Sequence, residues 1–184
     1  MTRIPISLMV IIAGALAVLG GIALAAQDKY TVKVPDGLGF ADFKGYEDWQ
    51  PVGPSFTDAQ HVMRLIVANP TMIQAYRDGV PGNGKPFPDG SKIAKIVWTP
   101  RSLTDPPFSA TTPDTVPGPL HEVEFIQKDS KRFADSNAGW GYAAFNYDDA
   151  TNKFTPIGTG YKCGTACHQL AAAKNYIFTA YPKR

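Results

Sequence analysis

The sequence predicts an α+β fold in which an antiparallel β-sheet is flanked by short helices. Three observations support this. Several stretches rich in β-branched and aromatic residues end at turn residues, the helix signals between them are short, and no internal repeat is visible. Strands joined in this way favour antiparallel pairing over a parallel sheet with long crossover helices. The predicted strands are residues 60–68, 92–99, 122–127 and 140–147.

Two short helices are predicted between these strands. Asn69 is a good N-cap, Pro70 fits the first turn that follows it, and Gly79 is a typical residue just after a helix end. A second helix is predicted to begin near Asp129 and to continue through Ala134, because an aspartate can cap the segment that follows it.

Residues 100–119 differ in composition from the rest of the chain. They contain six prolines and show little apolar periodicity. We expect a long surface loop here, an insertion rather than a lid over a binding site.

The first 25 residues have the composition of an export signal. Arg3 is followed by a long apolar run, which ends in the small-residue triplet Ala23-Leu24-Ala25. This pattern predicts a cleaved signal peptide, residues 1–25. The apolar run is also long enough to remain as a membrane anchor. In either case residues 26–184 are expected to form one exported domain in the periplasm, at a membrane only if the segment stays uncleaved.

The charge balance of the exported part argues against nucleic acid as a partner. Without Arg3, 17 basic residues face 16 acidic ones. A nearly neutral chain without basic runs gives no reason to expect binding to nucleic acid.

The only two cysteines lie in the motif CGTACH, as Cys163 and Cys167, with His168 directly after them. A disulfide over so short a ring would stabilise the chain little, and a thioredoxin-like dithiol would need a βαβ pattern that is absent. A zinc site would need a further ligand. The remaining interpretation is attachment of a c-type haem, although its usual motif has two residues between the cysteines and this one has three.

The extra residue changes only one part of the attachment. Cys167 and His168 keep their usual relation, so His168 is the predicted proximal ligand of the haem iron. Cys163 lies one residue further away than usual, and Gly164 beside it can supply the required backbone freedom. We therefore expect haem c with one or two thioethers, on a short helix that continues into residues 169–174.

Five segments resemble the cytochrome P-460 family and its relatives, the β-type cytochromes c′. They are GYEDWQPVG (45–53), MRLIVANP (63–70), FPDGSKIAKI (87–96), KDSKRFADSNAGWGYAAF (128–145) and CH…NYIFTAYP (167–182). The resemblance covers most of the exported chain. It implies a sheet with flanking helices, and a haem held near the C-terminus by one histidine and open on its distal side.

The resemblance also implies roles for two further residues. Lys95 falls where hydroxylamine-oxidising members have a lysine cross-linked to the porphyrin, and Phe87 falls where non-cross-linked relatives have a distal aromatic cap. Strand alternation places Lys95 on one face with Ile93 and Val97, which fits either a buried reactive amine or an ordinary solvated lysine.

Two functions follow from the resemblance. The first is an oxidoreductase that acts on hydroxylamine or nitric oxide and passes electrons to a soluble acceptor. The second is a non-catalytic module that binds nitric oxide or carries electrons. The oxidase needs a distal carboxylate for proton transfer, yet residues 152–162 before the motif contain no acid, and Asp148 and Asp149 are the nearest. A homodimer is compatible with either function.

Overall fold

The computed structural model describes residues 26–111 and 114–184. The predicted signal or anchor segment, residues 1–25, lies outside the described residues. No helix in the described part of the chain is long and apolar enough to cross a membrane.

In this described part of the chain, six antiparallel strands form one sheet in which each strand pairs with its neighbours in sequence. This confirms the predicted α+β fold with an antiparallel sheet. The strands are β1 (Gln50–Thr57), β2 (Val62–Ala68), β3 (Lys92–Ser102), β4 (Thr115–Lys128), β5 (Trp140–Asp148) and β6 (Lys153–Ile157).

Among the described residues, two short α-helices accompany the sheet, α1 (Pro70–Arg77) and α2 (Thr165–Gln169). The Asn69 side chain accepts a hydrogen bond from the backbone N–H of Met72, and Gly79 follows the helix with a φ of 87°. The prediction of α1 and both its ends is therefore confirmed. Single turns of 3₁₀-helix occur at Lys29–Thr31, Phe40–Phe43, Tyr46–Asp48, Asn137–Gly139 and Ala172–Lys174.

Three predictions need correction. The segment from Asp129 to Ala134 is a series of turns and not a helix, because the Asp129 carboxylate accepts from the backbone N–H groups of Lys131 and Arg132 and holds the chain in a tight turn. The predicted continuation of the motif helix into residues 169–174 is also not found. Helix α2 ends at Gln169, and a separate 3₁₀ turn follows at Ala172–Lys174.

Both ends of the proline-rich segment belong to strands, residues 100–102 to β3 and 115–119 to β4, and only the part between them is a loop. Strands β3 and β4 continue past the end of β2, and Pro100 pairs with Pro117 in the register of this extension. Because no third strand of the described residues pairs with this part of the hairpin, prolines that lack an N–H can be accommodated there.

The two faces of the sheet carry different layers. On one face the segment before β1 covers an aromatic core in which Phe43 stacks on Phe125 with ring centroids 4.2 Å apart, and Phe40 lies edge-on to Phe125 at 5.0 Å. On the other face, α1 and the C-terminal segment cover only one end of the sheet, around Met72, Tyr76 and Trp140. The remainder of this second face is open, and we call it the cleft face.

Candidate functional site

A cleft lies between the cleft face and the C-terminal segment. It consists of two adjoining pockets of about 200 and 360 Å³. Cavities of a few hundred Å³ are typical of cofactor and ligand sites. The side chains that line both pockets are Arg64, Lys95, Glu124, Ile126, His168 and Phe178.

The floor of the cleft is a row of directly paired residues across the sheet. From β2 to β6 the row contains Ile66, Lys95, Glu124, Ala144 and Ile157. Paired residues in an antiparallel sheet point to the same side, so all five face the cleft. An ion pair therefore lies at the centre of a row that is otherwise apolar.

His168 forms the wall opposite this row. Its Nδ1 lies 2.6 Å from the backbone oxygen of Tyr176, and its ring packs against Tyr142 and Phe178 at centroid distances of 4.7 and 5.1 Å. Burial lowers the pKa of His168. A neutral imidazole that donates from Nδ1 to a carbonyl presents the Nε2 lone pair, which is the usual arrangement of a metal-ligating histidine.

A tight turn brings the Tyr176 carbonyl back to His168. Asn175 and Tyr176 both have positive φ angles, 54° and 66°, and the Tyr176 N–H donates to the backbone oxygen of Ala171 at 2.9 Å. The chain thus reverses directly after the motif, and the carbonyl that orients the imidazole is part of that reversal.

The cysteine motif lies on the same side of the cleft. Cys163 belongs to the turn before α2, whereas Cys167 and His168 belong to α2. Both sulfurs are unbonded to each other, and both cysteines line the larger pocket. Burial raises the pKa of the Cys163 thiol. The turn before α2 accommodates the one extra residue between the two cysteines. Both cysteines can therefore face the cleft.

Gly164 is required by the packing of this turn. A Cβ atom at this position would lie 2.6 Å from Cγ of Tyr142, a distance that side chains do not tolerate. The Tyr142 ring therefore supports both Gly164 and the imidazole of His168.

Lys95 reaches into the cleft and pairs with an acid. Its Nζ lies 2.5 Å from Oε2 of Glu124, and about a quarter of each side chain is exposed. Lys92 lies on the opposite face, where its Nζ donates to the backbone oxygen of Asp42. Strand alternation, which places Lys95 on one face with Ile93 and Val97, agrees with this placement.

Phe87 lies elsewhere. It is buried between Tyr76 and Trp140, with ring centroids 5.1 and 6.0 Å away, and it does not line either pocket of the cleft. Its role as a distal cap stays a prediction.

The sequence interpretation missed three charged residues of the cleft, namely Arg64, Glu122 and Glu124. Two glutamates two positions apart on a central strand place two charges on one face, which was a visible signal. It could not be interpreted without knowing that this face of the sheet is open.

These features fit a covalently held haem. One imidazole nitrogen is available, two thiols stand beside it, and isoleucines from four strands and the C-terminal segment supply an apolar surface. Within residues 26–111 and 114–184, no group of three or more His, Cys, Asp or Glu side chains could hold a metal ion without a cofactor.

Comparison with known families gives a match over most of the chain. The model of the family described as Cytochrome P460 matches residues 43–179, which include the sheet, the cysteine motif and every residue of the cleft named above. A comparison with curated proteins finds no significant match.

Proposed function

Since the chain belongs to the cytochrome P460 family, we propose that it is a haem-dependent oxidoreductase that acts on hydroxylamine or nitric oxide. The observation that carries this proposal is the arrangement of His168. Its Nδ1 is satisfied by Tyr176, and its free nitrogen belongs to a cleft that both cysteines and Lys95 also line. A bound haem would supply the iron at which the substrate nitrogen is oxidised and the path by which electrons leave.

The chain's own residues have separate tasks in this proposal. His168 would ligate the iron, and Cys167, with Cys163 as a second position, would anchor the haem through thioethers. The Tyr176 carbonyl fixes the imidazole tautomer. Ile66, Ile126 and Ile157 would supply apolar contacts to the haem from the floor of the cleft.

Lys95 is the proposed position of the bond to the porphyrin edge. It stands in the centre of the cleft floor and on the same row as Glu124. The same ion pair also favours a second function, because a lysine held by a glutamate is withdrawn from bond formation. Without the bond, the protein is a nitric oxide-binding or electron-carrying cytochrome of the β-type c′ kind.

The proposed setting follows from the predicted signal. We infer export to the periplasm and transfer of electrons to a soluble acceptor, while a homodimer remains compatible with both functions.

Attachment is tested by haem staining of the denatured protein. We expect Cys167→Ala to abolish the stain and Cys163→Ala to retain a singly attached haem, because only Cys167 keeps the usual relation to the histidine. Normal staining of the Cys167 variant would contradict the attachment scheme.

Activity is tested by hydroxylamine-dependent reduction of an artificial one-electron acceptor, with mass spectrometry of the Lys95 peptide. We expect haem mass on this peptide and a reduced spectrum shifted to the red of ordinary haem c. Lys95→Ala should remove both and lower turnover in parallel, whereas Lys92→Ala, on the opposite face, should leave the spectrum unchanged. An ordinary spectrum and an unmodified Lys95 peptide in the starting protein would favour the gas-binding function.

A further inference from the structure

The chain reversal after the cysteine motif, at Asn175 and Tyr176, decides where the Tyr176 carbonyl points. Both residues have backbone angles in the left-handed region, with φ values of 54° and 66°. This region is disfavoured for residues other than glycine, and asparagine is among the few that tolerate it. The reversal therefore needs contacts that hold it, because a chain that relaxed out of this region would move the carbonyl away from His168.

The side chain of Asn175 makes such a contact. Its Oδ1 accepts a partly buried hydrogen bond of 2.9 Å from the backbone N–H of Phe87, which lies 88 residues earlier in the chain. The Phe87 ring is 1% exposed and packs edge-on against Tyr76 and Trp140. Asn175 is thus fastened to the buried cluster that covers one end of the cleft face.

The same reversal carries the hydrogen-bond acceptor of the imidazole. Tyr176 directly follows Asn175, and its carbonyl oxygen lies 2.6 Å from Nδ1 of His168. The backbone N–H of Asn175 donates to the backbone oxygen of Ala172 at 3.0 Å, which keeps the reversal close to the motif. A continuous series of contacts therefore runs from the Phe87 N–H through the reversal to the imidazole ring.

The hydrogen bond at Nδ1 influences how an imidazole binds a metal. It fixes the orientation of the ring and makes the opposite nitrogen a more basic ligand. Hydrogen bonds to an axial ligand are also among the means by which a protein tunes a haem iron. A longer or misdirected contact at Nδ1 would therefore weaken the bond between the imidazole and the iron.

We propose that Asn175 is a positioning residue for the proximal ligand. Through its bond to Phe87 it holds the Tyr176 carbonyl against the imidazole, and it thereby sets how strongly His168 donates to the haem iron. The inference rests on the proposed function only in that His168 is the iron ligand. If Asn175 merely stabilised the turn, its replacement would change the melting temperature and nothing at the iron.

Resonance Raman spectra of the haem-loaded ferrous protein test this inference through the iron–histidine stretching band. Asn175→Gly keeps the left-handed backbone accessible but removes the acceptor for the Phe87 N–H. The band should therefore shift to lower frequency, and the reduction potential should rise because a weaker donor stabilises ferric iron less. Asn175→Asp keeps a side-chain oxygen at this position and should retain the frequency of the unmodified protein.

Asn152→Gly is the matched control. Asn152 has the same φ of 54°, but its side chain bonds to Tyr147 in an exposed position. This variant loses an asparagine from a left-handed position far from the motif in sequence, and it should change neither the frequency nor the potential.

Unchanged frequency and potential in Asn175→Gly would overturn the inference, whatever its melting temperature. A shift in Asn175→Asp as large as that in Asn175→Gly would overturn the role of the Phe87 bond. Absence of an iron–histidine band in the unmodified protein would overturn ligation by His168 and this inference with it. The expected shift in a protein that does not turn over hydroxylamine would support the inference and overturn only the proposed activity.

Discussion

The imidazole of His168 is fixed by one hydrogen bond and by two aromatic contacts, and all of them lie in the C-terminal part of the chain or on β5. None of them contributes to the pairing of the sheet. The role of this side chain can therefore be tested without unfolding the protein.

We expect His168→Ala to change the ferric and ferrous spectra while covalent haem staining and the circular dichroism of the sheet are retained. The iron would lose its proximal ligand, but Cys167 would still hold the haem. His121→Ala, at an exposed position on β4, should alter neither spectrum. Unchanged spectra in the His168 variant would show that another residue ligates the iron.

Gly164 gives a prediction about stability. We expect Gly164→Ala to reduce the free energy of unfolding by about 1–3 kcal/mol, because the added methyl group must displace the Tyr142 ring or the turn itself. Urea unfolding would measure this loss. Gly53→Ala is the control, since no atom lies within 4 Å of its added Cβ, and its change should be small. Equal losses in both variants would mean that the contact with Tyr142 does not constrain the turn.

At the scale of secondary structure, Asn69 links α1 to the sheet. Its Oδ1 accepts from the backbone N–H of Met72 and of Lys92, and its Nδ2 donates to the backbone oxygen of Gly90. One side chain therefore caps the helix and fixes the start of β3.

We expect Asn69→Ala to destabilise the protein by about 2 kcal/mol, at the upper end of the range for lost helix caps. Thermal unfolding would measure this change. Gln74→Ala, in the same helix, removes only an exposed hydrogen bond to Asp78 and should change the stability by a few tenths of a kcal/mol. A loss for Asn69→Ala no larger than that of Gln74→Ala would contradict the linking role.

The central elements were predictable from the sequence because their signals are local. Strands β2 to β5 are rich in β-branched and aromatic residues, and α1 carries its cap, its proline and its glycine in order. The edge strands β1 and β6 were missed, because Pro51, Pro54 and Pro156 argue against strands except at an edge. Edge position is a property of the assembled sheet and has no local signal.

The candidate site was predictable only in part for the same reason. Cys163, Cys167 and His168 are adjacent in sequence, and the motif identifies them directly. Glu122, Glu124 and Arg64 come together with Lys95 only through the register of three strands. Likewise, the carbonyl that orients His168 depends on a turn in which Asn175 and Tyr176 both have positive φ angles. The side-chain chemistry of these two residues does not by itself predict such a turn.

At the scale of the whole molecule, the C-terminal segment ties the wall of the cleft to the rest of the protein. The Tyr76 hydroxyl of α1 donates to the backbone oxygen of Thr179 at 2.9 Å, and the Tyr76 ring stacks on Tyr181 with centroids 5.4 Å apart. Arg184 donates to the backbone oxygen of Val52 on β1 at 2.9 Å. Burial raises the pKa of Tyr76, so its hydroxyl keeps its proton at all pH values relevant to folding.

We expect Tyr76→Phe to destabilise the protein by about 1–2 kcal/mol, because the Thr179 carbonyl would lose a partly buried donor. Hydrogen exchange of the amides in residues 175–181 should accelerate in this variant. Tyr147→Phe is the control, because its hydroxyl bonds to Asn152 in an exposed position. Unchanged exchange in Tyr76→Phe would mean that the segment is held by other contacts.

The order of the elements along the chain has a consequence for assembly. All six strands precede the cysteine motif, and the segment that closes the cleft follows it. Because a chain is synthesised from its N-terminus, the residues of the complete sheet exist before Cys163, Cys167 and His168 do. The floor of the cleft, with its ion pair and the isoleucines around it, can thus form first as an open surface, and the attachment residues and the closing wall are added to it last.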